Sequence, residues 1–335
     1  MKNIRAKSIA ILAILSAELI CATSAIAESS NYQPVRMPNG KPSLQGVWSN
    51  ASITTLERPA KYSELVIPEA LVAELTREHP QVVRQRTDDN LDQADGLLDG
   101  SDLAKGRGYN AFWIDPGKEF GLVKGSRRTS WIVEPVDGKM PLNQAGRQLL
   151  QALASRSKSD FSGPESRPPA ERCLIIGGRV GPPMVNGLYN NNYQFVQTDD
   201  YLVIWVEMVS HVRIIPLHGA HNMQGIKPLF GESRGHWQGD SLVVETTNFS
   251  NLQQESPIPL STHAKVTEKF TRVSDQQIFY EFTIDDPIYY SQPWRGEMSL
   301  NKQTQPVFEY ACHEGNYALE GILAGARHQE PTRAH

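Results

Sequence analysis

Cysteine is scarce in this chain, with three residues in 335, Cys21, Cys173 and Cys312. Three thiols so far apart supply no paired-cysteine metal site. An excess of positive charge is missing as well, since 33 Lys and Arg stand against 37 Asp and Glu. That removes the electrostatic footprint of a nucleic-acid binder or of a protein held on anionic lipid. Long apolar runs are also missing. Residues 9–17 form an apolar run well short of the roughly 20 residues needed to cross a bilayer, and Glu18 interrupts it. No internal repeat is present.

The N-terminus does carry Lys2, Arg5 and Lys7, then that short apolar run, then the small-residue triplet Ala25, Ile26 and Ala27. This is the pattern of a bacterial export signal. Residues 1–27 are expected to be removed after Ala27, leaving a periplasmic or secreted protein with no membrane association. Ile20 precedes Cys21 where a lipidated cysteine needs a small residue. Cys173 and Cys312 survive processing, and in an oxidising compartment they are expected to pair. Closing so long a loop stabilises by about 4 to 5 kcal/mol in the chain-entropy picture.

Residues 28–125 read as an N-terminal elaboration of helix and loop that packs on the body of the protein. A helical pattern runs over residues 68–86 through Leu71, Val72 and Leu75, ended or kinked by Pro80. Residues 87–108 are polar, acidic and glycine-containing, the composition of a solvated loop. From residue 126 the texture changes to strands. "RTSWIVEPVDGKMPL" is a strand entering an Asp-Gly turn, and "NQAGRQLLQALASR" is an isolated helix. Hairpins follow, turning at Asp199 and Asp200, around Gly239, and at Ser274 and Asp275, with "GEMSLNKQTQPVFEYA" as the last strand. Hairpins without intervening helices predict antiparallel pairing. Over residues 126–335 the expected architecture is an antiparallel β-barrel or strongly curled sheet, calycin-like, which hides its edges.

The segments "GVWSNASITTLERPA", "YNAFWIDPG", "RTSWIVEP", "GPESRPPAERCL", "NNNYQFVQ", "VRIIPL", "GDSLVVETTNF" and "EYACHEGNYAL" occur in this order. Together they resemble a family of secreted bacterial proteins common in soil and aquatic genomes, over nearly the whole chain beyond the signal. The resemblance implies secretion and a shared architecture, and it carries over no catalytic residue. Family members read Gly-Asp-Ser-Arg-Gly where this chain has "GESRG", and Asp before a glycine where it has His218.

"GESRG" also matches the Gly-x-Ser-x-Gly nucleophile pattern, but that chemistry needs a strand-to-helix turn. Here a hairpin follows, so a turn is expected. In "YLVIWVEMVSHVRIIPL", residues Leu202, Ile204, Val206 and Met208 are assigned to one face. Val203, Trp205 and Glu207 take the other face, joined after a bend by His211 and Arg213. That second face is either a polar, aromatic-walled pocket or a charged outer surface. Glu268 and Glu281 sit on otherwise apolar strands. They are either solvated or, if inward, paired with Arg213 or a histidine. His211, His218, His221, His236 and His313 are the histidines available to a divalent ion, but their spacing matches no known helical or paired-cysteine site. No cofactor is expected. Asn192, Tyr193, Asn316 and Tyr317 suit either ligand hydrogen bonding at a barrel mouth or plain turns. At "EYACHEGNYAL", Cys312 is assigned to the disulfide, which leaves His313 and Glu314 beside a covalent staple.

Three functions stay open, all without a nucleic-acid or membrane partner. One is an enzyme acting on a small organic substrate by elimination, isomerisation or hydrolysis. Glu207, His211, His313 and Glu314 would then transfer protons and Arg213 would stabilise an anion. Another is a periplasmic binding protein for a small apolar or aromatic ligand. The third is an interaction module, whose sign would be an exposed apolar patch.

Overall fold

The computed structural model describes residues 32–89, 116–174, 178–221 and 225–330. The expected export signal and most of the expected loop at 87–108 lie outside the described residues.

The described residues form twelve strands. They are β1 (Gly46–Ser49), β2 (Leu122–Val123), β3 (Ser126–Arg127), β4 (Ile132–Glu134), β5 (Asn192–Gln197) and β6 (Tyr201–Val206). After them come β7 (His211–Pro216), β8 (Glu232–Gln238), β9 (Ser241–Thr247), β10 (Lys265–Arg272), β11 (Gln277–Asp285) and β12 (Trp294–Gln303). The clearest of them, β5, β6 and β10, alternate buried and more exposed positions. One antiparallel sheet holds ten of them, in the order β7-β6-β5-β1-β12-β11-β10-β9-β8, with β4 added on β12. The small β2–β3 hairpin stands apart. The hairpin turns at Asp199–Asp200, Gly239 and Ser274–Asp275 fall where the sequence puts them. β1 comes from the stretch read as an N-terminal elaboration, yet it sits in the middle of the sheet between β5 and β12.

The sheet is antiparallel as expected, but its hydrogen-bonded ladder is open. β7 and β8 are the two ends of the strand order, and among the described residues no ladder joins them. The last strand also stops earlier than expected. β12 ends at Gln303, and residues 304–316 run without strand pairing. Pro306 has no N–H to give a ladder, which suits it to an irregular segment.

Helix α1 (Glu69–Arg77) and helix α2 (Pro80–Asp89) replace the single pattern over 68–86, with Pro80 opening the second. Helix α3 (Gln144–Ser159) starts where Asn143 Oδ1 accepts from Gly146 N at 3.0 Å. Helix α4 (Ala318–Gln329) closes the described chain. Among the described residues no helix is long and apolar enough to cross a membrane.

The core lies on one face of the sheet and is rich in aromatic rings. Trp48, Tyr193, Phe195, Phe270, Tyr280, Phe282 and Trp294 are all fully buried. Phe195 of β5 meets Phe270 of β10 edge-on at 5.7 Å between centroids. A second, smaller cluster of Ile53, Ile67 and Phe120 anchors α1 and α2 through Val72, Leu75 and Val82. Cys173 and Cys312 are bonded to each other across 139 residues.

Candidate functional site

The turn between β6 and β7 decides which side chains meet. Four residues, 207–210, separate the strands, and Val206 comes to stand opposite His211, Ile204 opposite Arg213 and Leu202 opposite Ile215. Directly opposed residues share a face, so the even positions of β6 align with the odd positions of β7. The expected grouping of Arg213 and His211 with Val203 and Trp205 is therefore incorrect. Arg213 points into the core with Leu202 and Ile204, while Trp205 faces outward opposite Val212. Val209 and Ser210 make the turn with left-handed φ values of 53° and 47°.

Inside, Arg213 meets Glu268 of β10. Its Nη1 donates to Oε1 at 3.0 Å, and Nη2 donates to Oε2. Glu268 is wholly buried. The Tyr280 hydroxyl donates to the same Oε1 at 2.7 Å and accepts from Met184 N at 3.0 Å. Burial opposes the Arg213 charge, but the Glu268 carboxylate more than offsets it and raises the guanidinium above its ordinary pKa. Burial, then the Glu268 charge, raises the Tyr280 phenol. Of the alternatives for Glu268, the inward pair is the one that exists.

Residues 178–191 cover this cluster, threading Val180, Met184 and Val185 into the core. Trp131 Nε1 ties the segment down by donating to Asn186 Oδ1 at 2.7 Å. Gly181, at φ +78°, lies directly over Arg213; a Cβ there would fall 2.8 Å from Nη1 and 2.7 Å from Met184 Cγ. The buried Tyr193 hydroxyl donates to Arg179 O at 3.1 Å and accepts from Asn50 Nδ2 at 3.1 Å. Burial first, tempered by Asn50, raises its pKa.

Glu207 is buried and engaged by two donors. Asn192 Nδ2 reaches Oε2 at 2.8 Å, and Phe308 N reaches Oε1 at 3.2 Å. His211 is half-buried, with its ring 4.1 Å from that of Phe230. Burial, and secondarily the charge of Arg213, pushes its pKa down to about 4, so the imidazole is neutral at physiological pH.

The remaining candidates lie elsewhere. Glu281 faces outward, paired with Arg295 at 3.4 Å and Lys269 at 3.9 Å. Glu297, directly opposite it, binds Arg295 at 2.8 Å and Lys124 at 3.0 Å. His313, Glu314, Asn316 and Tyr317 are exposed beside the disulfide. Asn316 Nδ2 lies 3.6 Å from Cys173 Sγ. His218, His221 and His236 are exposed, the first two within 3.8 Å and 3.7 Å of Asp200 and Glu232. Among the described residues no three His, Cys, Asp or Glu side chains gather as a metal-binding group. In "GESRG", Ser233 sits inside β8 and shares a 2.8 Å hydrogen bond with Thr246. It occupies no nucleophile elbow. The outer face of β5 to β7 carries exposed Val196, Val212 and Ile214.

Sequence reasoning missed Arg179, Tyr189 and Tyr310. Arg179 is half-buried, with its guanidinium 5.1 Å from the Tyr189 ring centre. Tyr189 and Tyr310 are half-buried against the core. Tyr310 N donates to Ser210 Oγ at 3.1 Å, which brings the segment after β12 onto the β6–β7 turn. Burial and then the neighbouring Tyr189 hydroxyl raise the Tyr310 phenol. The available signal was positional: Arg179 follows Cys173 by six residues, and Tyr310 precedes Cys312 by two.

No protein-family model, no curated protein and no solved structure matches the chain.

Proposed function

We propose that the protein is an exported, barrel-like binding protein for a small aromatic molecule, received between Tyr189 and Tyr310 where the segment after β12 meets the β6–β7 turn. Two contacts support a rolled, calycin-like sheet. Arg213 and Glu268 sit on strands six places apart in the sheet order, about 29 Å if the sheet were flat, yet their side chains are hydrogen-bonded at 3.0 Å. Gly235 of β8 also packs under Leu217, at the end of β7, where a Cβ would come within 2.8 Å. Export is supported by the Cys173–Cys312 bond, of the kind that persists in oxidising compartments.

The observation that carries the binding reading is the pair of half-buried phenols, Tyr189 and Tyr310, set beside Arg179. Amphipathic rings with one packed side and one polar tip suit an aromatic guest. Apart from His211, the acid–base candidates are occupied or distant. Glu207 is engaged by Asn192 and Phe308 N, Arg213 and Glu268 are bonded to each other, and His313 and Glu314 stand out in solvent.

One observation favours turnover instead. His211 is a neutral, half-buried imidazole beside the same turn, able to accept or donate a proton during a reaction. Mass spectrometry of small molecules incubated with native protein, Tyr189→Ala, Tyr310→Ala and His211→Gln separates the two. Binding predicts that compounds are retained unchanged by native protein and His211→Gln and lost by the tyrosine variants. New products from native protein that vanish with His211→Gln would establish turnover. Retention indifferent to either tyrosine would dismiss the site.

A further inference from the structure

Arg179 has no counter-ion among the described residues. Among the described residues no carboxylate oxygen lies within ion-pair distance of it, and its Nη1 is buried with no hydrogen-bond partner. The other edge of the guanidinium is pressed flat on Gly187. A Cβ built there would fall 1.9 Å from Nε, 2.1 Å from Cζ and 2.6 Å from Nη2, so glycine is what lets the arginine lie in this place. The guanidinium face looks onto Tyr189.

The contrast with Arg213 is informative. Arg179 belongs to the segment that covers Arg213, and the buried Tyr193 phenol feels the charge of both. Arg213 has Glu268 against two of its nitrogens. A guanidinium nitrogen kept from water and left unpaired is costly, and its hydrogens need acceptors. Other buried arginines are engaged at least in part: Arg167 has Glu171 and two carbonyls, Arg272 has three carbonyls, and Arg58 and Arg128, each with an unpaired Nε, still reach Ser63 O and Glu297.

We propose that Arg179, with Tyr189 and Tyr310, recognises the carboxylate of a small aromatic acid, the oxyanion pairing with the half-buried guanidinium and the aryl ring lying against the phenols. This rests on the reading of Tyr189 and Tyr310 as an aromatic site and adds the charge of its guest. A single unpaired guanidinium calls for a single negative charge, which a carboxylate supplies. The disulfide holds both walls, since Cys173 leads into the Arg179 segment and Cys312 follows Tyr310.

The test is calorimetric titration of the native protein with benzoate and with benzamide, its neutral counterpart, repeated on Arg179→Gln. The expected result is benzoate binding at least about tenfold tighter than benzamide, the size of one charge-assisted hydrogen bond, with the preference abolished in Arg179→Gln. Equal affinity of native protein for both would overturn the carboxylate assignment while leaving the aromatic site standing. A preference that persists in Arg179→Gln would overturn the role of Arg179. Binding of neither compound would overturn the inference together with the aromatic site. The native comparison needs no variant, so it decides the charge preference even if Arg179→Gln fails to fold.

Discussion

Arg213 on β7 and Glu268 on β10 form a two-pronged ion pair inside the core, with the Tyr280 hydroxyl as a third member. Removing one partner leaves the other charge buried and alone, which costs more than the pair contributes. Arg213→Met and Glu268→Leu are each expected to lower unfolding free energy by about 3 to 5 kcal/mol, and the double substitution to recover at least half of that. Urea unfolding of the four proteins checks it, and simple additivity of the two losses would refute the coupling.

Gly181 roofs that pair at a φ of +78°. Gly181→Ala adds a methyl that meets Arg213 and Met184 and adopts a backbone conformation L residues avoid. A loss of about 1 to 3 kcal/mol is expected, and thermal unfolding measures it.

His211 links stability to pH. Its pKa stands at about 4 against an ordinary 6.5, so between those values the unfolded chain takes up a proton that the folded chain refuses. The contribution is present in full above 6.5 and drains away as pH falls towards about 4. Urea midpoints of native protein and His211→Gln should therefore diverge across that window, with the native protein losing more as pH drops. Parallel curves would contradict this.

Much of the fold was legible because hairpins are local. The turns at Asp199, Gly239 and Ser274 announce themselves through turn chemistry, and the isolated helical stretch "NQAGRQLLQALASR" forms as α3. The pairings of β1 with β5 and β12 were not legible, since they join residues far apart in the chain and leave no local trace. Parity misled the reading of Arg213. Odd numbers on β6 and β7 suggested one face, but a four-residue turn opposes Val206 to His211 and reverses the match. The disulfide was legible by elimination from two cysteines, whereas the exposure of His313 depended on where β12 stops.

That disulfide should stabilise by about 4 to 5 kcal/mol, judged from the length of the loop it closes. Cys173→Ser with Cys312→Ser should lose that amount in urea. The same variant should also weaken aromatic ligands, because the bond holds the segments of Arg179 and Tyr310 together. Unchanged affinity in a folded double variant would separate the staple from the site.

The most direct test of the account is an NMR search for nuclear Overhauser contacts between a bound aromatic ligand and the tyrosine rings, assigned by single Tyr→Phe substitutions. Contacts from Tyr189 and Tyr310 are predicted. Contacts confined to the exposed Tyr201 or Tyr317, or to no tyrosine at all, would contradict it.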